Sequence, residues 1–169
     1  MARGRTSLRP LYGLKRWIYR GDRPDAVARL LNAFWRWHYG TARAPQDHGV
    51  TLIVRGRASG RMIAFPVVPV AHEGKWYVVS MLGTHANWVR NVHASGGEAV
   101  IRHGRDHDVT LREVPAPSRA QILRAYLNAA PGARPHAPVD RTAPLEDFER
   151  IAPDYPVFHV IGLPGPETA

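Results

Sequence analysis

Val50-Thr51-Leu52-Ile53-Val54-Arg55-Gly56-Arg57-Ala58-Ser59-Gly60-Arg61-Met62-Ile63-Ala64-Phe65-Pro66-Val67 places two apolar runs on either side of a basic, glycine-containing turn. The first run is short and β-branched, which predicts a strand. The second continues to Ala71 and is broken by Pro66 and Pro69. It predicts a second strand, with the prolines at a sheet edge or bulge because they cannot donate to a ladder. Downstream, His72-Glu73-Gly74-Lys75 is a tight-turn signal before Trp76 to Met81, and His103-Gly104-Arg105-Asp106 joins Glu98–Arg102 to Asp108–Val114. One helix interrupts this meander, with Thr84 as its expected N-cap, Trp88, Val89 and Val92 as its apolar face and Gly96-Gly97 as its stop. Ser118 is then expected to cap a helix that turns Ile122, Leu123, Tyr126 and Leu127 inward and ends at Pro131-Gly132. Arg134 to Pro144 reads as an ordered loop or lid, Leu145–Ile151 as a short helix and Val157–Ile161 as a closing strand. Four to six antiparallel strands with helices at both ends and one inserted helix describe an α+β, mainly β, closed or partly open barrel.

Upstream of Val50 the period is helical. Residues 1–23 carry seven of the 23 basic residues together with Leu8, Leu11, Leu14, Trp17 and Ile18, a basic amphipathic segment. It can pack on the barrel or lie against the inner face of an anionic membrane. After Pro24, the spacing of Val27, Leu30, Leu31, Phe34 and Trp37 predicts a second helix ending at Gly40. The expected organisation is therefore an N-terminal segment over 1–23 and one domain over 24–169. At 169 residues the chain has the size of one ordinary domain. No stretch approaches a membrane span, and residues 1–23 lack the uninterrupted apolar core of a secretory signal, so a cytoplasmic protein is expected.

The chain has no cysteine, which excludes thiolate catalysis, disulfides and Cys-ligated metal. The nine histidines show no metal-ligand spacing, and no metal is expected. The net charge of +9 is almost wholly arginine, with Lys15 and Lys75 the only lysines, and arginine grips phosphates and carboxylates in a bidentate fork. Nucleic acid, an acidic membrane surface and a phosphorylated cofactor all satisfy that charge. Nucleic acid ranks last, since Trp17, Tyr19, Trp35 and Trp37 fall at helical spacing that core packing explains. The turn Arg55-Gly56-Arg57-Ala58-Ser59-Gly60-Arg61 offers three guanidinium groups, a hydroxyl and two glycines. It reads equally as a phosphate cradle or as a solvated hairpin tip. The lysine and following helix of a Walker loop are both missing.

Taken in order, Gly56-Arg57-x-Ser59-Gly60, Pro66, the hairpin, Gly83, Trp88 and Asn91 resemble the deazaflavin-dependent nitroreductases, also called F420H2-dependent quinone reductases. The resemblance runs from Val50 to about Arg102 and continues weakly to the last strand. It implies an FMN-binding-like split β-barrel, binding of the deazaflavin F420, and hydride transfer to a quinone, nitroaromatic or similar small-molecule acceptor. FMN or another anionic ligand in the same cleft is the alternative, and a non-enzymatic basic binding module a second one. Carried over, the pattern puts Arg57 and Ser59 at the cofactor's phosphate and acidic tail, with Arg55, Gly60 and Arg61 in the same turn. Pro66, Val67 and Val68 then lie along the ring, Val79, Ser80, Met81 and Leu82 form the neighbouring strand end, and Asn87, Trp88 and Asn91 the helix start. Trp88 also reads as a core aromatic. Met62, Phe65 and Met81 are candidates to shape an acceptor pocket, and His85, His136 and Tyr155 to donate a proton or touch substrate. Two positions depart from the family: it commonly has a lysine where this chain has Ala58 and an arginine where it has Ile63. Ser80-Met81-Leu82-Gly83 likewise replaces a Ser-Lys-Gly-Gly stretch. Either Arg55 and Arg61 compensate, or cofactor preference has changed. By analogy with split barrels, a homodimer is expected.

Overall fold

The computed structural model describes residues 49–166. The expected basic segment over 1–23 and the helix up to Gly40 lie outside the described residues.

Seven antiparallel strands form one sheet, more than the four to six expected. They are β1 (Val50–Arg55), β2 (Met62–Val67), β3 (Val70–His72), β4 (Lys75–Val79), β5 (Glu98–His103), β6 (Arg105–Glu113) and β7 (Val157–Ile161). Helix α1 (Asn87–Ala94) is the inserted one, α2 (Ala120–Ala129) follows β6, and α3 (Leu145–Ile151) precedes β7. The strand order is β2-β1-β5-β6-β7-β4-β3. The two edges of the sheet are thus consecutive in sequence, joined only by Val68 and Pro69. Three virtual bonds reach about 11 Å at most, so the sheet has to curl until its edges nearly meet. The result is a split β-barrel with its seam between β2 and β3. Pro66 lies in one edge strand and Pro69 beside the other, as their missing N–H requires.

Alternation sorts the strand residues between two faces. Leu52, Val54, Val78, Ile101, Leu111 and Phe158 join Val89 and Val92 of α1 in the barrel interior. Tyr77, Val79 and Val157 point the other way, onto a layer made by Ile122, Leu123, Tyr126 and Leu127 of α2 and Phe148 of α3. Ile53 and Val100 form a third, small cluster with Met62 and Ala64, so Met62 faces away from the interior.

The β3–β4 hairpin turns through Glu73 (φ 47°) and Gly74 (φ 70°), the pair of positive angles that a two-residue type I′ turn demands. β6 begins at Arg105 rather than at Asp108, because Gly104 alone reverses the chain and His103 pairs with Arg105. α1 starts later than expected. Gly83 N–H donates to the Ser80 carbonyl and Ala86 N–H to that of Gly83, so these turns carry the chain past Thr84, and Ala86 holds the cap position without a side-chain bond. At its other end, Gly96 N–H bonds the His93 carbonyl and Gly97 N–H that of Val92, a Schellman closure. Ser118 does not cap α2 either: it sits in a 3-10 turn (Ala116–Ser118), and Arg119 stands at the helix start.

On the outer face of β7, His159 stacks near Tyr77 with ring centroids 5.4 Å apart. Burial first, and then the charges of Lys75 and Arg112, hold its imidazole below its ordinary pKa. Folding therefore favours the neutral ring. That contribution to stability is present above the unfolded value near 6.5 and is lost as pH falls through it toward the folded one. Tm should drop more steeply between about pH 7.5 and 5.5 in the wild type than in His159→Gln; identical profiles would remove His159 from the account.

Candidate active site

The seam of the barrel opens into a cavity of about 590 Å³, within the usual range of small-molecule sites. One wall is the β1–β2 turn. Gly56 N–H donates to the Arg61 carbonyl at 2.7 Å and Gly60 N–H to the Gly56 carbonyl at 2.8 Å, which folds the turn tightly. A Cβ on Gly56 would stand 2.9 Å from both Ile63 Cδ1 and Ser59 Oγ, so the turn is packed against its own side chains. β2 supplies Ile63, Phe65, Pro66 and Val67, followed by Val68. Across the seam lie Val79 and Ser80 to Leu82, whose backbone is fixed by Ser80 N–H donating to the Pro156 carbonyl at 2.9 Å and Ser80 Oγ–H to that of Gly83 at 2.9 Å.

α1 closes the interior end with Ala86, Asn87, Trp88 and Asn91. Trp88 is half-buried, its ring 5.7 Å from Phe65 and 5.4 Å from Phe158, so it is at once a core aromatic and part of the lining. Asn91 is buried, and its Oδ1 accepts both the Arg57 backbone N–H at 3.2 Å and Arg57 Nη1–H at 2.9 Å. Tyr126, Gly132, Ala133 and His136 form the remaining wall.

Of the residues singled out in the sequence, the structure brings Arg57, Ser59, Pro66, Val67, Val68, Val79, Ser80, Met81, Leu82, Asn87, Trp88, Asn91 and His136 to this one cavity, with Phe65 beside them. Arg55, Gly60 and Arg61 lie outside its lining, at the strand end and on the exposed side of the turn. Compensation for the charges absent at Ala58 and Ile63 therefore does not come from inside the cavity. His85 is exposed and pairs through Nδ1 with Arg90 Nη2 at 3.1 Å, away from the lining. Tyr155 packs with the α2–α3 layer, and its carbonyl accepts from Arg119. Met62 belongs to the outer cluster and shapes no part of the pocket. Tyr126 and Ala133 were read as core or passed over. Helical spacing marks them as inward, but only the meeting of the two sheet edges turns that inward side toward a cavity.

Arg57 is the one arginine or lysine among the described residues in the lining, and no carboxylate lines it. One end of the cavity thus collects donors and positive charge while most of the rest is apolar, an arrangement that takes an amphiphilic anion with a flat apolar body.

The family model for F420H2-dependent quinone reductases matches residues 28–146. The chain belongs to that family. As a member it is an F420H2-dependent oxidoreductase with coenzyme F420 as cofactor, and FMN is not needed to explain the cleft. Among solved structures, the chain is similar to an F420-H2 dependent reductase (FDR-A), with a TM-score of 0.47 and 21% identity over 68% of this chain and 94% of the other. An F420 reductase gives 0.44 and 12% identity over 72% and 90%. A protein of unknown function from Agrobacterium tumefaciens gives 0.49 and 8% identity over 68% and 48%. The assignment rests on the family match rather than on these distant likenesses. A search of curated proteins gave no match. The donor-rich end and apolar walls of the quinone reductase cavity fit a deazaflavin that carries a phosphate. No helix of the described residues is long and apolar enough to cross a membrane, and no group of three or more metal-ligating side chains occurs among them.

Proposed function

We propose that the cavity holds F420 with its phosphate and acidic tail at Arg57 and Ser59 and its ring along Pro66–Val68 and Val79–Leu82. The wall at Tyr126, Ala133 and His136 is then left for a planar acceptor, a quinone or nitroaromatic. The observation that carries this reading is Arg57, the one cavity-lining arginine among the described residues, held in place by Asn91 at one end of an otherwise mostly apolar cleft. Arg55, Gly60 and Arg61 serve the part of the tail that extends past the cavity.

When bound in its reduced form, F420 supplies the hydride. The chain's own work is to hold, orient and dry the reactants. Phe65, Met81 and Trp88 offer apolar surface to a flat molecule and keep water from it. Reduction of a quinone or nitro group builds negative charge on an acceptor oxygen, and His136, the one of the three expected donors His85, His136 and Tyr155 that lines the cavity, provides the proton there.

Fluorescence titration of the purified protein with F420 tests the binding half. Arg57→Ala should weaken affinity about 10- to 100-fold, the worth of a lost charge-assisted hydrogen bond or two. Oxidation of reduced F420 by a soluble quinone tests the other half: His136→Ala should lower kcat while leaving F420 affinity within about twofold. Wild-type affinity in Arg57→Ala would sink the binding assignment, and unchanged turnover in His136→Ala would remove the proton role.

The single-domain span over 24–169, a cytoplasmic location, membrane contact through residues 1–23 and a homodimer are further parts of the proposal. Limited proteolysis tests the span, cell fractionation the location, vesicle flotation of the full chain against one lacking residues 1–23 the contact, and light scattering the dimer. A cleavage-stable core far from these bounds, a membrane-pelleting or monomeric protein, or flotation independent of the segment would each remove its part.

A further inference from the structure

The cavity wall left for the acceptor is built from two pieces of chain. Tyr126 comes from α2, and Gly132, Ala133 and His136 come from the 3-10 segment Pro131–His136 that follows it. Hydrogen bonds within a 3-10 run are poorly aligned and give it little rigidity of its own. Ala133 N–H donates to the Ala130 carbonyl at 2.9 Å, and Ala137 N–H closes the far end on the Arg134 carbonyl at 3.2 Å. Ala133 is the one buried residue of the segment, so little more than a methyl group anchors it by burial.

Arg134 supplies what burial does not. The last four carbonyls of a helix have no partner within it. Arg134 folds back from the segment and donates to two of them in α2, from Nε to the Leu127 carbonyl at 2.9 Å and from Nη2 to that of Asn128 at 3.3 Å. A cation at that place also faces the negative end of the helix. The arginine itself is exposed and stands outside the cavity lining. Its bonds nonetheless join the same two pieces of chain whose separation sets the width of the acceptor end, and both carbonyls lie within two residues of Tyr126. We propose that Arg134 is a positioning residue for the acceptor: by clamping Pro131–His136 to the last turn of α2, it fixes the distance between Tyr126 on one side and Ala133 and His136 on the other. This rests on the reading of that wall as the acceptor's. It adds a residue outside the cavity that governs acceptor use without governing cofactor binding.

Two substitutions grade the clamp. Arg134→Met keeps most of the apolar stem and removes every donor, whereas Arg134→Lys keeps one ammonium that can serve one carbonyl but lacks the fork to hold both. Hydrogen–deuterium exchange of the protein without ligand tests the clamp itself. The amides of Ala133 and Ala137 should exchange about tenfold or more faster in Arg134→Met, those of β1 and β5 at the wild-type rate, and Arg134→Lys should fall between. Oxidation of reduced F420 by a soluble quinone tests the consequence. In Arg134→Met, kcat/KM for the quinone should fall about 10- to 100-fold, the effect of displacing a reacting group by about 1 Å. Affinity for F420, read by fluorescence titration, should stay within about twofold. Thermal melts establish that each variant is folded; should Arg134→Met not fold, Arg134→Lys carries both readouts. Unchanged exchange at Ala133 and Ala137 overturns the clamp. Equal losses in quinone turnover and F420 affinity, or no loss in either, would make the arginine merely structural and overturn its role at the acceptor. If the wild type itself does not bind F420, the cavity reading fails and takes the acceptor role with it, while the exchange rates still decide whether Arg134 holds the wall.

Discussion

Gly97→Ala is expected to cost about 3–5 kcal/mol, roughly 10–15 °C in Tm, the largest loss from adding a single methyl group to a glycine among the described residues. Gly97 has φ +90°, and a Cβ built there would lie 2.5 Å from the Leu111 carbonyl oxygen, a backbone atom that cannot swing aside. The strand is pinned in turn, because Leu111 N–H donates to the Gly97 carbonyl at 2.8 Å. Relief requires either giving up that bond or lifting the end of α1, the helix that carries Trp88 and Asn91. Gly104→Ala is the matched control: φ is +68° there, yet nothing lies within 4 Å of the added carbon, so only the backbone conformation of about 1 kcal/mol is at stake. Differential scanning calorimetry of the pair decides, and equal melting temperatures would show that the contact at Leu111 yields freely.

Arg119→Met should destabilise the fold by about 2–4 kcal/mol, with Arg119→Lys recovering only part of it. The Arg119 side chain is 8% exposed and engaged at all three of its nitrogens. Nε donates to the Val114 carbonyl at 2.7 Å, Nη1 to those of Ala152 at 3.1 Å and Tyr155 at 3.4 Å, and Nη2 to Glu113 Oε1 at 2.8 Å. Methionine fills the volume but strands those acceptors, and a single ammonium cannot reach all of them. Glu113 also accepts from His93 on α1 at 2.7 Å, so Arg119 links the start of α2 to the helix at the cavity's interior end. Urea unfolding with unchanged m-value and a lowered midpoint is the expected record; an unshifted midpoint would mean that water replaces the arginine without penalty.

Much of this architecture was readable before any coordinates. Leu145–Ile151 and Val157–Ile161 emerged at the expected bounds because the short helix lies between proline and the closing strand is β-branched and aromatic. Helix starts were read less well. Thr84 and Ser118 have the chemistry of caps, but backbone turns and a 3-10 segment carry the chain past them, a tertiary outcome that local propensity does not contain. The site divides the same way. Arg57, Ser59 and the Pro66 stretch stood out because basic, hydroxyl and strand residues occur in a tell-tale order. The wall contributed by Tyr126 and Ala133 was hidden, since it depends on which strand ends up opposite which. Arg55 and Arg61 were indistinguishable from Arg57 by type; only the side of the turn they occupy separates them.

The seam has a consequence for how this protein keeps to itself. An open seven-stranded sheet normally leaves two rows of unpaired amides, a template on which another chain can polymerise. Here the two edge strands are consecutive in the chain, joined through Val68 and Pro69, and each has a proline in or beside it that cannot donate. One edge strand is only three residues long, Val70–His72, and both are interrupted or flanked by proline, so each is a poor template for another strand. The arrangement that curls the sheet around its cavity thus also guards against runaway strand addition between molecules.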